Sequence, residues 1–209
     1  MADHEKLIDE LCARAAPVRR VAPVWKRLCL LLPLMLGLAG LSVISFKIAV
    51  GGWSVPSNSS DMANAVLCLL LGAIGLAQAL AMSVPGLAWR GRRLLLGGIA
   101  AWLAMTGTGL ETSSFPAVVP GEQPVCFAFL LAAGLPMATI AILALRRTRS
   151  LDPVRALIAA GVGVGFLSFG LLAFCHPATV STSDFVTHVM AALVLGLLTL
   201  AVGRKFVAA

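Results

Sequence analysis

The sequence predicts an all-α polytopic membrane protein with six transmembrane helices and both termini in the cytoplasm, on three observations. Of 209 residues, 59% are hydrophobic and 12% charged, about half the charged fraction of an ordinary soluble domain. The apolar residues gather in six runs, each close to the roughly 17 to 25 residues that a helix needs to cross a bilayer core. The positive charges sit almost entirely in alternate separators, the pattern left by cytoplasmic retention of Lys and Arg.

The runs are Leu28 to Val50, Ala63 to Val84, Leu94 to Leu110, Pro124 to Leu145, Ala156 to Phe174 and Phe185 to Gly203. Between them lies turn chemistry: Gly51-Gly52 and Pro56 to Ser60, Pro85-Gly86, Pro116 to Gly121, Asp152-Pro153, and Pro177 to Ser183. None of these separators is long enough to be a soluble domain. Strands are excluded on two grounds: the runs are continuous rather than alternating, and unpaired backbone groups in lipid are costly. No internal repeat or low-complexity tract is present. The first run is too long for a cleaved signal peptide and lacks a small-residue cleavage site beyond it.

Orientation follows from the basic residues. Lys6, Arg14, Arg19, Arg20, Lys26 and Arg27 precede the first span, and Arg90, Arg92 and Arg93 lie in the second loop. Arg146, Arg147, Arg149 and Arg155 lie in the fourth loop, and Arg204 and Lys205 in the tail. Fifteen of sixteen basic residues thus fall on one side, and the exception, Lys47, ends the first span where it can snorkel. Asp61, Glu111, Glu122 and Asp184 mark the other side. The net charge of +7 is therefore a consequence of topology, and with no recognition motif present direct nucleic-acid binding is disfavoured.

Residues 1–27 form the only extramembrane piece long enough for a partner-binding element, and residues 28–209 the membrane domain. Asp3 is placed to cap a helix whose Leu7, Ile8, Leu11, Cys12 and Ala15 share a face before Pro17 ends it. Glu5, Lys6, Asp9, Glu10 and Arg14 occupy the other face. Such a helix rests on the lipid surface or docks in a partner's groove. A mixed acidic and basic polar face favours the groove, because lipid-surface helices prefer Lys and Arg there.

The five cysteines differ in depth. Cys12 and Cys29 belong to the cytoplasmic side, where thiols stay reduced, and Cys68 reads as a small packing residue. Cys126 opens the fourth span and Cys175 closes the fifth, both at the outer face, with His176 beside Cys175 and His188 at a similar depth. The three readings are a disulfide, a metal site built from Cys126, Cys175, His176 and His188, and simple packing. Gly161, Gly163 and Gly165 do not form a nucleotide loop, since no strand precedes them. Gly161 and Gly165 instead offer a small-xxx-small packing face. Lys47 and Glu111 lie at outer helix ends, and Gln78 is the most polar side chain within a span. That is poor material for an ion path.

Three stretches, LIDELCARAAPVRRVAPVWKR (Leu7 to Arg27), MSVPGLAWR (Met82 to Arg90) and the FCHP and THV segments between Phe174 and Val189, resemble the NrsF-like family of bacterial six-helix membrane anti-sigma factors. The resemblance runs the length of the chain. It implies an inner-membrane protein without cofactor or catalysis, whose N-terminal segment sequesters an extracytoplasmic-function sigma factor. Leu7, Ile8 and Leu11 are then the apolar anchors and Asp9, Glu10, Arg19 and Arg20 the polar contacts. It also implies two outer-face sensor cysteines, matched by Cys126 and Cys175. The chain departs from the family at Cys175-His176-Pro177, where a His-Cys-Pro order is expected.

The expectation is therefore an anti-sigma factor that releases its partner on an outer-face stress signal, by thiol oxidation or metal binding. The alternative is a small transporter or efflux subunit, which calls for buried charges or paired repeats that the sequence lacks. A thiol oxidoreductase calls for a CxxC pair, also lacking.

Overall fold

Continuous apolar stretches flanked by charged or turn-forming residues fold as long helices, and the computed structural model shows seven helices and no strand among the described residues. It describes residues 2–14, 21–50, 59–84, 86–87, 91–112, 123–148, 150, 152–174 and 182–207. The helices are α1 (Ala2–Arg14), α2 (Val24–Val50), α3 (Ser59–Met82), α4 (Gly91–Thr112), α5 (Gln123–Arg146), α6 (Pro153–Leu172) and α7 (Thr182–Val207). Five of these, α2, α3, α5, α6 and α7, are long and apolar enough to cross a membrane. The remaining long helix, α4, opens with Arg92 and Arg93 and is the least apolar of the six.

Helix ends follow local chemistry. Asp152 caps α6, its Oδ1 accepting from the Arg155 N–H at 3.2 Å, and Pro153 occupies the first turn where its missing N–H costs nothing. Arg146 ends α5, and Arg204 and Lys205 end α7, favourable against the helix dipole. Most helices start earlier than the apolar runs suggest, α2 by four residues at Val24 and α3 by four at Ser59. The polar first turns carry on the helix after the hydrophobic signal has ended. At the N-terminus, α1 begins at Ala2, so Asp3 falls inside the helix rather than before it, which corrects its expected place as the cap.

The most extensive helix pair is α3 with α6, and its contact is backbone on backbone. A Cβ built on Gly75 would lie 2.8 Å from Gly163 Cα, and one built on Gly163 would lie 2.8 Å from Leu76 N and 2.9 Å from Gly72 O. Leu167 seats on Gly72 and Leu69 on Gly170, on either side of this crossing. The opposite face of α6 meets α7. A Cβ on Gly161 would lie 3.2 Å from Gly196 Cα, and one on Gly165 would lie 3.6 Å from the Ala192 Cβ. The packing role expected for Gly161 and Gly165 is thus met against α7, while Gly163 makes the tighter contact on the other side.

Around this pair, α5 packs on α2, α6 and α7, α2 also touches α3, and α4 lies on α3. One core cluster joins Met35, Leu76, Leu130, Met137, Leu145, Leu157, Leu167 and Leu195. A second centres on Trp102 of α4, with Cys68, Leu71, Leu95 and Phe166. Paired contacts fix the directions. Leu69, Gly72 and Gly75 oppose Gly170, Leu167 and Gly163, and Gly161 and Gly203 oppose Gly196 and Leu157. Leu71 opposes Gly98, and Cys68 opposes Trp102. Arg27 of α2 meets Leu80 and Ser83 at the end of α3, and Ala144 and Leu145 of α5 lie beside Leu28 and Leu80, so the six long helices alternate and Val24 and Val207 lie at the same end of the bundle.

The outward surface is the reverse of a soluble protein's. Leu30, Leu34 and Leu41 of α2, Leu94, Leu96 and Leu103 of α4, and Leu193 and Leu197 of α7 are all exposed. Contiguous apolar surface of this extent is not stable in water and matches a lipid solvent. Hydroxyls within the bundle satisfy themselves on their own helices, as with Thr199 to Leu195 O at 2.7 Å and Ser168 to Val164 O at 3.0 Å.

Gly163→Ala tests the α3–α6 crossing. Helix propensity favours Ala over Gly by about 1 kcal/mol, but backbone atoms block the new methyl and the helices must separate, a change of the overpacking kind that costs about 1–3 kcal/mol. Thermal unfolding in detergent is expected to show a lower midpoint for Gly163→Ala. Gly40→Ala, where nothing lies within 4 Å, should leave the midpoint unchanged or raise it.

Candidate functional site

The N-terminal segment is the first candidate. In α1, all residues from His4 to Arg14 are exposed, so the helix lies clear of the bundle. Leu7, Ile8 and Leu11 are 54%, 57% and 61% exposed, which leaves the apolar stripe uncovered. Asp9 and Glu10 are exposed on the same helix. Arg19 and Arg20 lie outside the described residues. The arrangement presents an apolar ridge flanked by carboxylates, the form in which an amphipathic helix enters a groove.

The second candidate is the end of the bundle away from Val24 and Val207. Cys126 on α5 is buried, as is His188 on α7. Both helices run the same way, since the C-terminal part of α5, with Ala141, Ala144 and Leu145, lies beside Leu28 and Leu80 at the Val24 end, where α7 also finishes. Leu195 seats on Gly134, so Cys126 and His188, eight and seven residues earlier, sit at one depth. Cys175 and His176 lie outside the described residues. Among the described residues no three metal-ligating side chains gather.

Beneath this end lies an aromatic cluster that the sequence reading did not single out. Trp102 meets Phe166 edge-on at 5.2 Å between centroids, stacks on Phe169 at 5.6 Å, and lies 5.9 Å from Phe185. Its indole lies against the Cys68 thiol. The i, i+3 spacing of Phe166 and Phe169 on α6 was the available signal. The cluster ties α4, α6 and α7 together just inside the turn that carries Phe185 and His188.

At the Val24 end a polar network closes α3. The last carbonyls of a helix have no partner within it. Here Leu80 O accepts from Ser83 Oγ at 2.7 Å and from Arg27 Nη1 at 3.4 Å, and Met82 O accepts from Ser150 Oγ at 3.2 Å. Arg27 Nη1 also donates to Ser83 Oγ at 3.2 Å. A cation at the C-terminus of α3 is favourable against its dipole. Ser150 Oγ in turn accepts from Asp152 N–H at 3.3 Å, so α2, α3 and the α5–α6 connection share one network. Lys26, Arg92, Arg93, Arg146, Arg147, Arg155, Arg204 and Lys205 surround this end. Trp25 is exposed beside them with Lys26 Nζ 5.3 Å from its ring, as befits an interfacial aromatic residue.

Comparison with protein-family models, with curated proteins and with solved structures finds no match to the chain.

Burial sorts the thiols by reactivity, because a buried thiol reacts only through opening of the surrounding structure. In single-cysteine variants in detergent, Cys12, which is exposed, is expected to react with a water-soluble maleimide at the rate of a free thiol. Cys68 and Cys126 should react at least roughly 10-fold more slowly until the protein is denatured. Equal rates for Cys12 and Cys126 would contradict the placement of α5.

Proposed function

We propose that the chain is a membrane-bound anti-sigma factor that holds an extracytoplasmic-function sigma factor at the cytoplasmic face of a bacterial inner membrane. The observation that carries this reading is α1, a helix that stands clear of the bundle with Leu7, Ile8 and Leu11 exposed. A 13-residue helix is marginal alone in water. Seating three aliphatic side chains in a groove contributes up to about 1.5–3 kcal/mol each, before ordering costs are subtracted. Asp9, Glu10, Arg19 and Arg20 supply polar contacts and register. Sequestration itself makes and breaks no covalent bond.

The topology that goes with it has six spans, with α4 as the third, and both termini inside. It is supported by the gathering of cations at the Val24 and Val207 end and of Asp61 at the other. The resemblance of the N-terminal, Met82 to Arg90 and Phe174 to Val189 stretches to NrsF-like proteins supports the same reading. The signal is taken up at the outer end, where Cys126 and Cys175 offer thiols to an oxidant or a soft metal, with His188 at the depth of Cys126. Release requires that the signal favour one of two conformations of the bundle, and the shift is no larger than that differential affinity.

Two experiments test this. The full-length chain, purified from membranes, is expected to retain one of the host's sigma factors. Leu7→Asp and Leu11→Asp each place a carboxylate in an apolar groove and should weaken retention by at least about 100-fold. Retention of no sigma factor by the unaltered chain would remove the reading. For the sensor, Cys126→Ala and Cys175→Ala are each expected to abolish induction of the sigma-dependent genes while the sigma factor stays bound. Normal induction in both variants would remove the thiols from the mechanism and leave sequestration standing.

A further inference from the structure

The N-terminal third of α2 differs from the rest of the bundle in how it is held. None of residues 24–34 is buried, whereas Met35, Ala39 and Val43 beyond them are each 5% exposed or less. Only 17% of the most apolar stretch of α2 is buried, near the 22% of α7 and well below the 61% of α3 and 67% of α6. Its middle turns are seated through Met35, Ala39 and Val43, whereas its first turns touch the core only through the half-buried Val24, Leu28, Leu31 and Leu32. Pro33 stands at the border between the two parts. It has no N–H to give the Cys29 carbonyl, and its ring crowds that carbonyl, so the helix is weakest there.

Under the unburied part lies a gap between α2, α3 and α5, lined by Leu28, Leu31, Leu76, Leu80, Ala144 and Leu145. Its volume of about 10 Å³ is at the lower limit for a single water, and its walls are apolar, so it is a flaw in packing and not a ligand site. Across this gap the described polar contacts of α2 with another helix are those of Arg27, to Ser83 Oγ at 3.2 Å and to Leu80 O at 3.4 Å. Arg27 lies on the same face as Leu28, Leu31 and Met35, the face that lines the gap. Topology alone accounts for a basic residue ahead of the first apolar run, and these contacts give it a second role.

We propose that residues 24–34 form a hinged arm, pivoting at Pro33 and latched to the end of α3 by Arg27. With the latch closed, the arm lies on α3 and α5. With it open, the arm swings outward about the packed part of α2 and carries the N-terminal segment with it. Arg27 is a positioning residue, and Ser83 is its keeper, held in place by its own bond to Leu80 O at 2.7 Å. Motion of the end of α3, or of Ser150 on the α5–α6 connection that bonds Met82 O, reaches the arm through this contact. The effect of the arm on a bound partner rests on the sequestration reading; the arm itself does not.

The test is disulfide trapping in the full chain, with native cysteines replaced by serine, in membranes treated with a mild oxidant. Leu28→Cys with Leu80→Cys reports the arm, and Met35→Cys with Leu76→Cys reports the packed part of α2. Arg27→Gln is expected to slow the 28–80 cross-link by about 10-fold, the scale of a hydrogen-bonded charge, and to leave the 35–76 cross-link unchanged. Arg27→Lys should fall between, and Pro33→Ala in the Arg27→Gln background should recover part of the 28–80 rate by stiffening the hinge. An unchanged 28–80 rate, or equal slowing of both pairs, overturns the hinged arm. Should Arg27→Gln fail to accumulate, Ser83→Ala replaces it, with a smaller slowing of the 28–80 pair alone as the supporting result and no slowing as the overturning one. With the sigma factor present, Arg27→Gln is expected to lower its retention without any signal. Cross-linking as expected in a chain that retains no sigma factor would remove the sequestration reading and leave the arm.

Discussion

The structure depends on the approach of α3 and α6 through glycine. In lipid no hydrophobic driving force brings helices together, because the tails solvate leucine as well as another helix does. What remains is van der Waals contact, and contact is greatest where side chains do not hold the backbones apart. Gly72, Gly75 and Gly163 remove those side chains at one crossing, so that each backbone touches the other. Leu167 and Leu69 then pack over the glycines of the opposite helix. With this pair fixed, α7 fits the second small-residue face of α6, α5 closes the side of α6, and α2 and α4 take the remaining sides.

This order of attachment grades the bundle by mobility. The α3–α6 pair has the least room to change, since a shift would break backbone contacts that no side chain can bridge. At the periphery, α4 is held by Trp102 and α2 most firmly by its middle turns, at Met35, Ala39 and Val43. Rearrangement within such a protein is borne by the elements with few buried contacts. In the first turns of α2 no residue is fully buried and the core is met only by half-buried side chains, and these turns are also the part of the membrane domain nearest in sequence to α1.

Much of this was legible in the sequence. Long uncharged runs between turn residues locate the six long helices to within a few residues, because nothing but a helix satisfies its own backbone in lipid. The amphipathic spacing of Leu7, Ile8 and Leu11 foretold α1, and Gly161 and Gly165 a packing face. The apolar runs start at Leu28 and Ala63, four residues after the helices themselves begin at Val24 and Ser59, because first turns that carry Lys26, Arg27 or Asp61 give little hydropathy signal. The dominant contact at Gly163 was missed because three alternate glycines on one helix point to two neighbours, and spacing does not say which neighbour comes closer. Trp102 and Arg27 were missed for a related reason. Each gets its role from a partner far along the chain, Phe166 for one and Ser83 for the other, and composition treats both as ordinary interfacial or packing residues.

The strength of the Arg27 contact bears on whether it could serve as a switch at all. A hydrogen bond to a charged group contributes about 1.5–3 kcal/mol, and couplings between sites in allosteric proteins are about 1–3 kcal/mol. A buried ion pair in place of Arg27 and Ser83 would be too strong for such a signal to open, since breaking one costs about 3–5 kcal/mol. A fully exposed pair would be too weak to hold the arm closed, at about 0–1 kcal/mol. Arg27 is partly buried, its partners are a hydroxyl and a carbonyl, and its bonds are 3.2 and 3.4 Å long. That places the contact between the two limits, where a modest displacement of the end of α3 changes the population of the arm by an order of magnitude without disturbing the glycine crossing that holds the bundle together.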